Sequence, residues 1–212
     1  MTRPPVVLIH GLFAPRATML PFAWALRRAG FVPHTVPLPL LNMADVERSA
    51  ALLAAQIERV AGAGRCDLVG MSLGGLLALR CAQDPACAAR VRRLIAVGTP
   101  VRGTWSALPA AGLLGPLCPA ARQCLPGSAL LAAIEAGGLP HGVEITAVYA
   151  SFDPVAPAAR CRLEGARNIE IPTLPQPLAH QALIASPRAV RVLVEILAAP
   201  EGAQSSPPSP TT

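Results

Sequence analysis

The residues Gly70-Met71-Ser72-Leu73-Gly74-Gly75 lie between a short apolar run and an Ala/Leu-rich stretch. A serine at a sharp strand-to-helix turn is held with its hydroxyl exposed above a sheet. Small residues two positions before and after it leave room for the turn and for the following helix to pack closely. The same pattern also fits a Gly-rich turn with an N-capping serine. A phosphate-cradling loop does not fit, because the chain contains no Lys and no G-K-[ST]. A dinucleotide fingerprint is missing after the first apolar run.

A serine hydroxyl is a weak nucleophile until a base takes its proton and a carboxylate orients that base. The chain offers four His and four Asp. His10 ends the first apolar run, His34 falls inside the second, and His141 precedes the fifth. His180, in Leu178-Ala179-His180-Gln181, is placed after the last run, in a loop at the carboxyl edge. Among the acids, Asp45 starts a helical segment as an N-cap, Asp67 enters a strand from the far edge, and Asp84 precedes Pro85 in a helix-ending turn. Asp153 follows the fifth run in Ser151-Phe152-Asp153-Pro154, where an orienting carboxylate belongs, although an Asx turn before Pro154 would also explain it. Glu164 and Glu170 are less well placed. An acyl-transfer site also needs two N–H donors for a developing oxyanion. The backbone of Leu73 supplies one, and Leu12, in His10-Gly11-Leu12-Phe13, is the candidate for the other. His10 is expected to brace this loop.

These side chains need a scaffold that brings them to one edge. Short apolar runs predict strands over 6–9, 31–36, 67–70, 94–98, 144–150 and 168–171. Helical spacing predicts helices over 22–29, 45–61, 72–82, 130–135 and 187–198. In the second, Val46, Ala50, Leu53, Ile57 and Val60 recur at intervals of three and four. Strands alternating with helices predict an α/β domain over 1–199, with a mainly parallel six-stranded sheet covered on both faces. In such folds ligands bind at the carboxyl ends of the strands. Residues 99–139, rich in Gly, Pro, Leu and Ala, read as a short apolar, lid-like insertion, and 200–212 as a disordered Pro/Ser tail.

Composition narrows the function. The chain has 212 residues, 52% hydrophobic, 14% charged and only 3% aromatic, so the core is aliphatic. Its net charge of +6 comes entirely from scattered Arg, with no basic stripe carrying aromatics, which argues against nucleic-acid binding. The leading run is too short for a signal peptide, and Pro109, Pro116 and Pro119 break the longest uncharged stretch. A cytoplasmic protein without a membrane span is expected, with transient contact to a membrane surface. The six Cys show no zinc spacing and read as small buried side chains, with Cys118 and Cys124 close enough in sequence to pair in an oxidising compartment.

Val7-Leu8-Ile9-His10-Gly11-Leu12, Gly70-Met71-Ser72-Leu73-Gly74-Gly75-Leu76, Gly98-Thr99-Pro100-Val101-Arg102-Gly103-Thr104, Asp153-Pro154-Val155 and Ala179-His180 together resemble the successive motifs of the α/β-hydrolase superfamily. The small bacterial lipases and esterases are the nearest likeness, over about residues 5–198. Met71 and Val101 stand where many lipases carry His. The resemblance implies Ser72 as nucleophile, Asp153 as orienter, His180 as base and Leu12 with Leu73 as oxyanion donors. It also implies an ester substrate and no metal or other cofactor. Phe13, Trp105, Leu113 and Leu114 are the expected pocket residues for a lipophilic acyl chain. A thioesterase or acyltransferase would use the same three side chains, and a silent pocket for a small apolar ligand is the alternative from another class.

Overall fold

Apolar residues dominate the central strands, and alternate side chains from them feed two separate cores. The computed structural model describes residues 3–202. Its strands are β1 (Val6–Ile9), β2 (Pro33–Thr35), β3 (Cys66–Met71), β4 (Val91–Val97), β5 (Glu144–Ala150) and β6 (Arg167–Ile171). They form one sheet in the order β2-β1-β3-β4-β5-β6, and every neighbouring pair is parallel. The helices are α1 (Leu20–Arg28), α2 (Val46–Ala61), α3 (Leu73–Ala82), α4 (Pro85–Ala88), α5 (Leu108–Leu114), α6 (Pro119–Gln123), α7 (Ala129–Gly137), α8 (Ala158–Cys161), α9 (Ala179–Ala185) and α10 (Pro187–Ala198).

Val7, Ile9, Leu68, Leu94 and Ala96 point to one face and pack with α2, α3 and α7. Val6, Leu8, Val69, Met71, Ile95, Val97 and Val148 point to the other and pack with α1, α9 and α10. This is the period-two alternation of a sheet covered on both sides. The expected face of α2 is buried at Val46, Ala50, Leu53 and Ile57, and the Asp45 carboxylate caps the helix by accepting from Arg48 N at 3.1 Å.

Several boundaries differ from expectation. β2 keeps only three residues of the 31–36 run, with Pro33, which has no N–H to donate, as its first residue. β4 begins three residues early, at Val91, and so takes in Arg92 and Arg93. These two arginines look like surface charge in sequence, but Arg93 is 0% exposed. Its guanidinium donates to Glu144 Oε2 at 2.6 Å, to Leu197 O at 3.0 Å and to Pro200 O at 2.9 Å. Beside it, Arg92 forks onto both oxygens of buried Asp67 at 2.8 and 2.5 Å. A buried charge is tolerated here because its donors are matched. Residues 200–202 are therefore tied to the domain, and the remainder of the expected tail, 203–212, lies outside the described residues. No described helix is long and apolar enough to cross a membrane.

Residues 99–139 are mostly helical rather than an irregular connection. α7 buries Leu130, Leu131 and Ile134 in the main core, whereas α5 and α6 stand over the carboxyl edge of the sheet. Removing Arg93 would take the guanidinium from Glu144 Oε2 and Pro200 O at the opposite edge and leave Leu197 O to Arg92 alone. Arg93→Ala should lower unfolding stability by about 3–5 kcal/mol in urea titration.

Candidate active site

Ser72 follows β3 directly and is the residue before α3. Its backbone lies at φ 55 and ψ −124, a region that a non-glycine residue enters only under constraint. The constraint is close backbone packing. A Cβ on Gly70 would run into the backbone of Gly74, and a Cβ on Gly74 into the carbonyls of Ile9 and His10. A Cβ on Gly75 would overlap Thr99, so the second glycine of the pair is needed as well. Ser72 N donates to Val97 O at 2.8 Å, and Gly75 N to Ser72 O at 2.9 Å. The serine is half-buried, at the positive end of α3.

Gly11 lies against this turn, its missing Cβ only 3.2 Å from Ser72 Cβ and 3.3 Å from Met71 O. Its role is close approach rather than an unusual dihedral; the positive φ in this loop belongs to Phe13, at 56°. His10 is buried, and its Nδ1–H donates to Gly11 O at 3.1 Å. Burial holds the imidazole below its ordinary value, partly offset by that hydrogen bond, so it is neutral in the fold. Asn42 Nδ2 donates to His10 O at 2.9 Å from the far side. It ends three consecutive left-handed residues, Leu40, Leu41 and Asn42. Nothing in the local sequence marks this brace, which is a contact between two loops.

Asp153 follows β5 and is buried. Its Oδ1 accepts from Val155 N at 2.8 Å and from Ala156 N at 2.9 Å, the Asx turn that Pro154 suggests. Its Oδ2 lies 2.7 Å from His180 Nδ1. The turn and the histidine thus use different oxygens of one carboxylate, and the two readings of Asp153 are compatible. His180 is not in a loop, as expected, but in the first turn of α9. Pro177 and the Ser186-Pro187 pair bracket a helix only seven residues long, too short to register as helical spacing. The ring rests over Gly98, whose missing Cβ would lie 3.3 Å from His180 Cε1.

Ser72 and His180 line one cleft of about 620 Å³. Leu12, Phe13 and Leu73 also line it, as do Thr104, Ser106, Ala107, Ala110 and Ile184. Trp105, Leu113 and Leu114 do not. Trp105 is 58% exposed, Leu113 is 88% exposed, and Leu114 is half-buried against the Ala111–Cys118–Ala121 cluster. The insertion turns small side chains toward the cleft and large ones away from it, a choice of helix face that composition does not reveal. Ile184 was hidden because α9 itself was not foreseen. Cys124 lines the cleft and Cys118 is fully buried; all six thiols are free. Burial pushes the Cys124 thiol up to about 12, so it is protonated and unreactive at neutral pH.

A model of the family described as "Alpha/beta hydrolase family" matches residues 6–208. No curated protein matches in sequence. Among solved structures, lipase B of Aspergillus fumigatus superposes with a TM-score of 0.77 at 18% identity, covering 94% of this chain and 53% of that one. This chain therefore spans about half the length of the fungal lipase. The mature lipase of Bacillus licheniformis gives 0.74 at 18% identity, covering 92% of both chains. A putative non-heme bromoperoxidase of Mycobacterium tuberculosis gives 0.68 at 18% identity, covering 92% and 91%. At these identities the likeness is one of fold.

Two predictions follow from this packing. Gly74→Ala should push the 9–12 loop away from Ser72 and cost about 1–3 kcal/mol of stability in urea titration. The depressed value of His10 means that the unfolded chain takes up its proton first. Stability from burying the neutral ring is complete above about pH 6.5 and is lost as pH falls below it. The drop in melting temperature between pH 7.5 and 5.5 should therefore be smaller in His10→Asn than in the native chain.

Proposed function

The chain belongs to the alpha/beta hydrolase family, and we propose that it is a serine-dependent hydrolase of lipophilic carboxylic esters. The observation that carries this reading is His180, 2.7 Å from Asp153, lining one largely apolar cleft with a serine held at positive φ. In this reading Ser72 Oγ attacks the ester carbonyl carbon while His180 Nε2 takes its proton. Asp153 keeps the Nδ1–H tautomer and stabilises the imidazolium. The N–H groups of Leu12 and Leu73 receive the oxyanion. Leu73 begins α3, whose first N–H groups have no acceptor within the helix. Collapse expels the alcohol, which takes the proton from His180. Water, deprotonated by the same imidazole, then releases the acid and regenerates Ser72.

The cleft wall supports a lipophilic acyl group. Phe13, Ala107, Ala110 and Ile184 offer apolar surface, and each buried methylene is worth roughly 0.8 kcal/mol, about fourfold in kcat/KM. The rim supports contact with a lipid surface. Leu40, Leu41, Trp105, Leu108, Leu113, Leu117, Leu174 and Leu178 are all exposed, and all lie on segments following the carboxyl ends of strands.

The reading is tested with p-nitrophenyl esters of increasing chain length and with a fluorophosphonate probe. The native chain should be labelled at Ser72, and kcat/KM should rise with chain length. Ser72→Ala should lose labelling and at least about 10³-fold in kcat. Absence of both labelling and turnover in the native chain would overturn the reading, and turnover confined to acyl thioesters would redirect it to a thioesterase. Trp105→Glu combined with Leu113→Glu should slow hydrolysis of an emulsified long-chain ester and leave a soluble short-chain ester unaffected.

A further inference from the structure

We propose that Thr104 and Ser106 are positioning residues for Asp153 and, through it, for His180; this rests on the serine-hydrolase reading above. Two peptide groups connect them. The Pro154–Val155 peptide gives its N–H to Asp153 Oδ1 at 2.8 Å, and its carbonyl accepts from Ser106 Oγ at 3.1 Å. The Val155–Ala156 peptide gives its N–H to the same Oδ1 at 2.9 Å, and its carbonyl accepts from Thr104 Oγ1 at 2.5 Å and from Ser106 Oγ at 3.3 Å.

In a trans peptide the C=O and N–H are held rigidly in one plane and point in opposite directions. Gripping each carbonyl by a hydroxyl therefore fixes the direction of the N–H that holds the carboxylate. Hydrogen bonds in series also polarise one another, so each amide becomes a better donor to Asp153. The carboxylate's free torsion is thereby set, and its second oxygen meets His180 Nδ1.

Thr104 is itself anchored. Its hydroxyl accepts from Ser106 N at 3.2 Å, and its N–H donates to Cys124 O at 2.8 Å, at the end of α6. A second strap runs parallel to the first: Arg160 Nη1 donates to Arg102 O at 2.9 Å, and Arg102 N to Arg160 O at 3.1 Å. The seat of the helical insertion and the turn that carries the acid therefore form one hydrogen-bonded unit. Among the described residues, Asp153 is the ionisable group that contacts His180. Cys161, near Asp153, is pushed up to about 12, mainly by burial, and stays neutral.

The experiment uses Thr104→Val, Ser106→Ala, the double variant and Thr104→Ser. Competent sites are counted with the fluorophosphonate, and kcat and KM for a soluble short-chain ester are measured per counted site across pH. His180 is followed without substrate by NMR of protein labelled with ¹⁵N-histidine. Thr104→Val and Ser106→Ala should each lower kcat per site, by up to about 100-fold together, with KM little changed. The rising limb of the pH profile should move to lower pH, because a misdirected carboxylate stabilises the imidazolium less. The Nδ1–H resonance should shift or broaden, and Thr104→Ser should restore all three.

Unchanged kcat per site, pH profile and His180 resonance, with only fewer folded molecules, would overturn the proposal. Ser106 is exposed, so Ser106→Ala keeps the test available if Thr104→Val does not fold. If the native chain turns over no ester, the hydrolase reading fails, and the resonance alone decides whether these hydroxyls orient the pair.

Discussion

The left-handed backbone at Ser72 is the constraint around which this molecule is organised. A non-glycine residue stays there only when its surroundings leave no alternative. The surroundings are main chain: Gly70 against Gly74, Gly74 against the carbonyls of Ile9 and His10, and Gly11 against Ser72 itself. Two segments far apart in sequence approach closely at one point, and each does so by omitting a Cβ. The turn thereby fixes the height of the serine above the sheet and the distance of the β1 loop from it. Both parts of the proposed oxyanion site depend on that distance.

The acid and the imidazole reach the same edge by a different route. β4 and β5 are neighbours in the sheet, so the segments that leave their carboxyl ends run side by side. This brings Thr104 and Ser106 to the Asp153 turn, and Arg160 to the Arg102 carbonyl. The helical insertion thus has two jobs. Its α7 half fills the main core, and its α5–α6 half walls the cleft and touches the machinery of the acid.

Charge is divided between the two ends of the sheet. Asp67, Arg92, Arg93 and Glu144 knit the amino edge to the end of α10, where their matched hydrogen bonds hold the strands in register. At the carboxyl edge the one buried carboxylate that the proposed chemistry uses is Asp153, which faces a histidine rather than an arginine. An arginine there would lock the acid in a permanent ion pair, whereas an imidazole can gain and lose its proton.

The linear sequence determined the six strands, the helices α1, α2, α3, α7 and α10, the parallel sheet and the turn at Gly70–Gly75. These depend on local spacing and on residues with narrow backbone preferences. It also singled out Ser72, Asp153 and His180 as candidates, because so few His and Asp stand after strands. It could not show that Arg93 is buried, that His180 opens a helix, or that Leu113 faces solvent. Each of these depends on which face of an element meets a distant neighbour, and an apolar or charged residue looks the same in sequence on either face. The partnership of Thr104 and Ser106 with Asp153 was decided only in three dimensions. A hydroxyl carries no mark of the carbonyl it will bind, and about fifty residues of intervening chain had to fold before the two could meet.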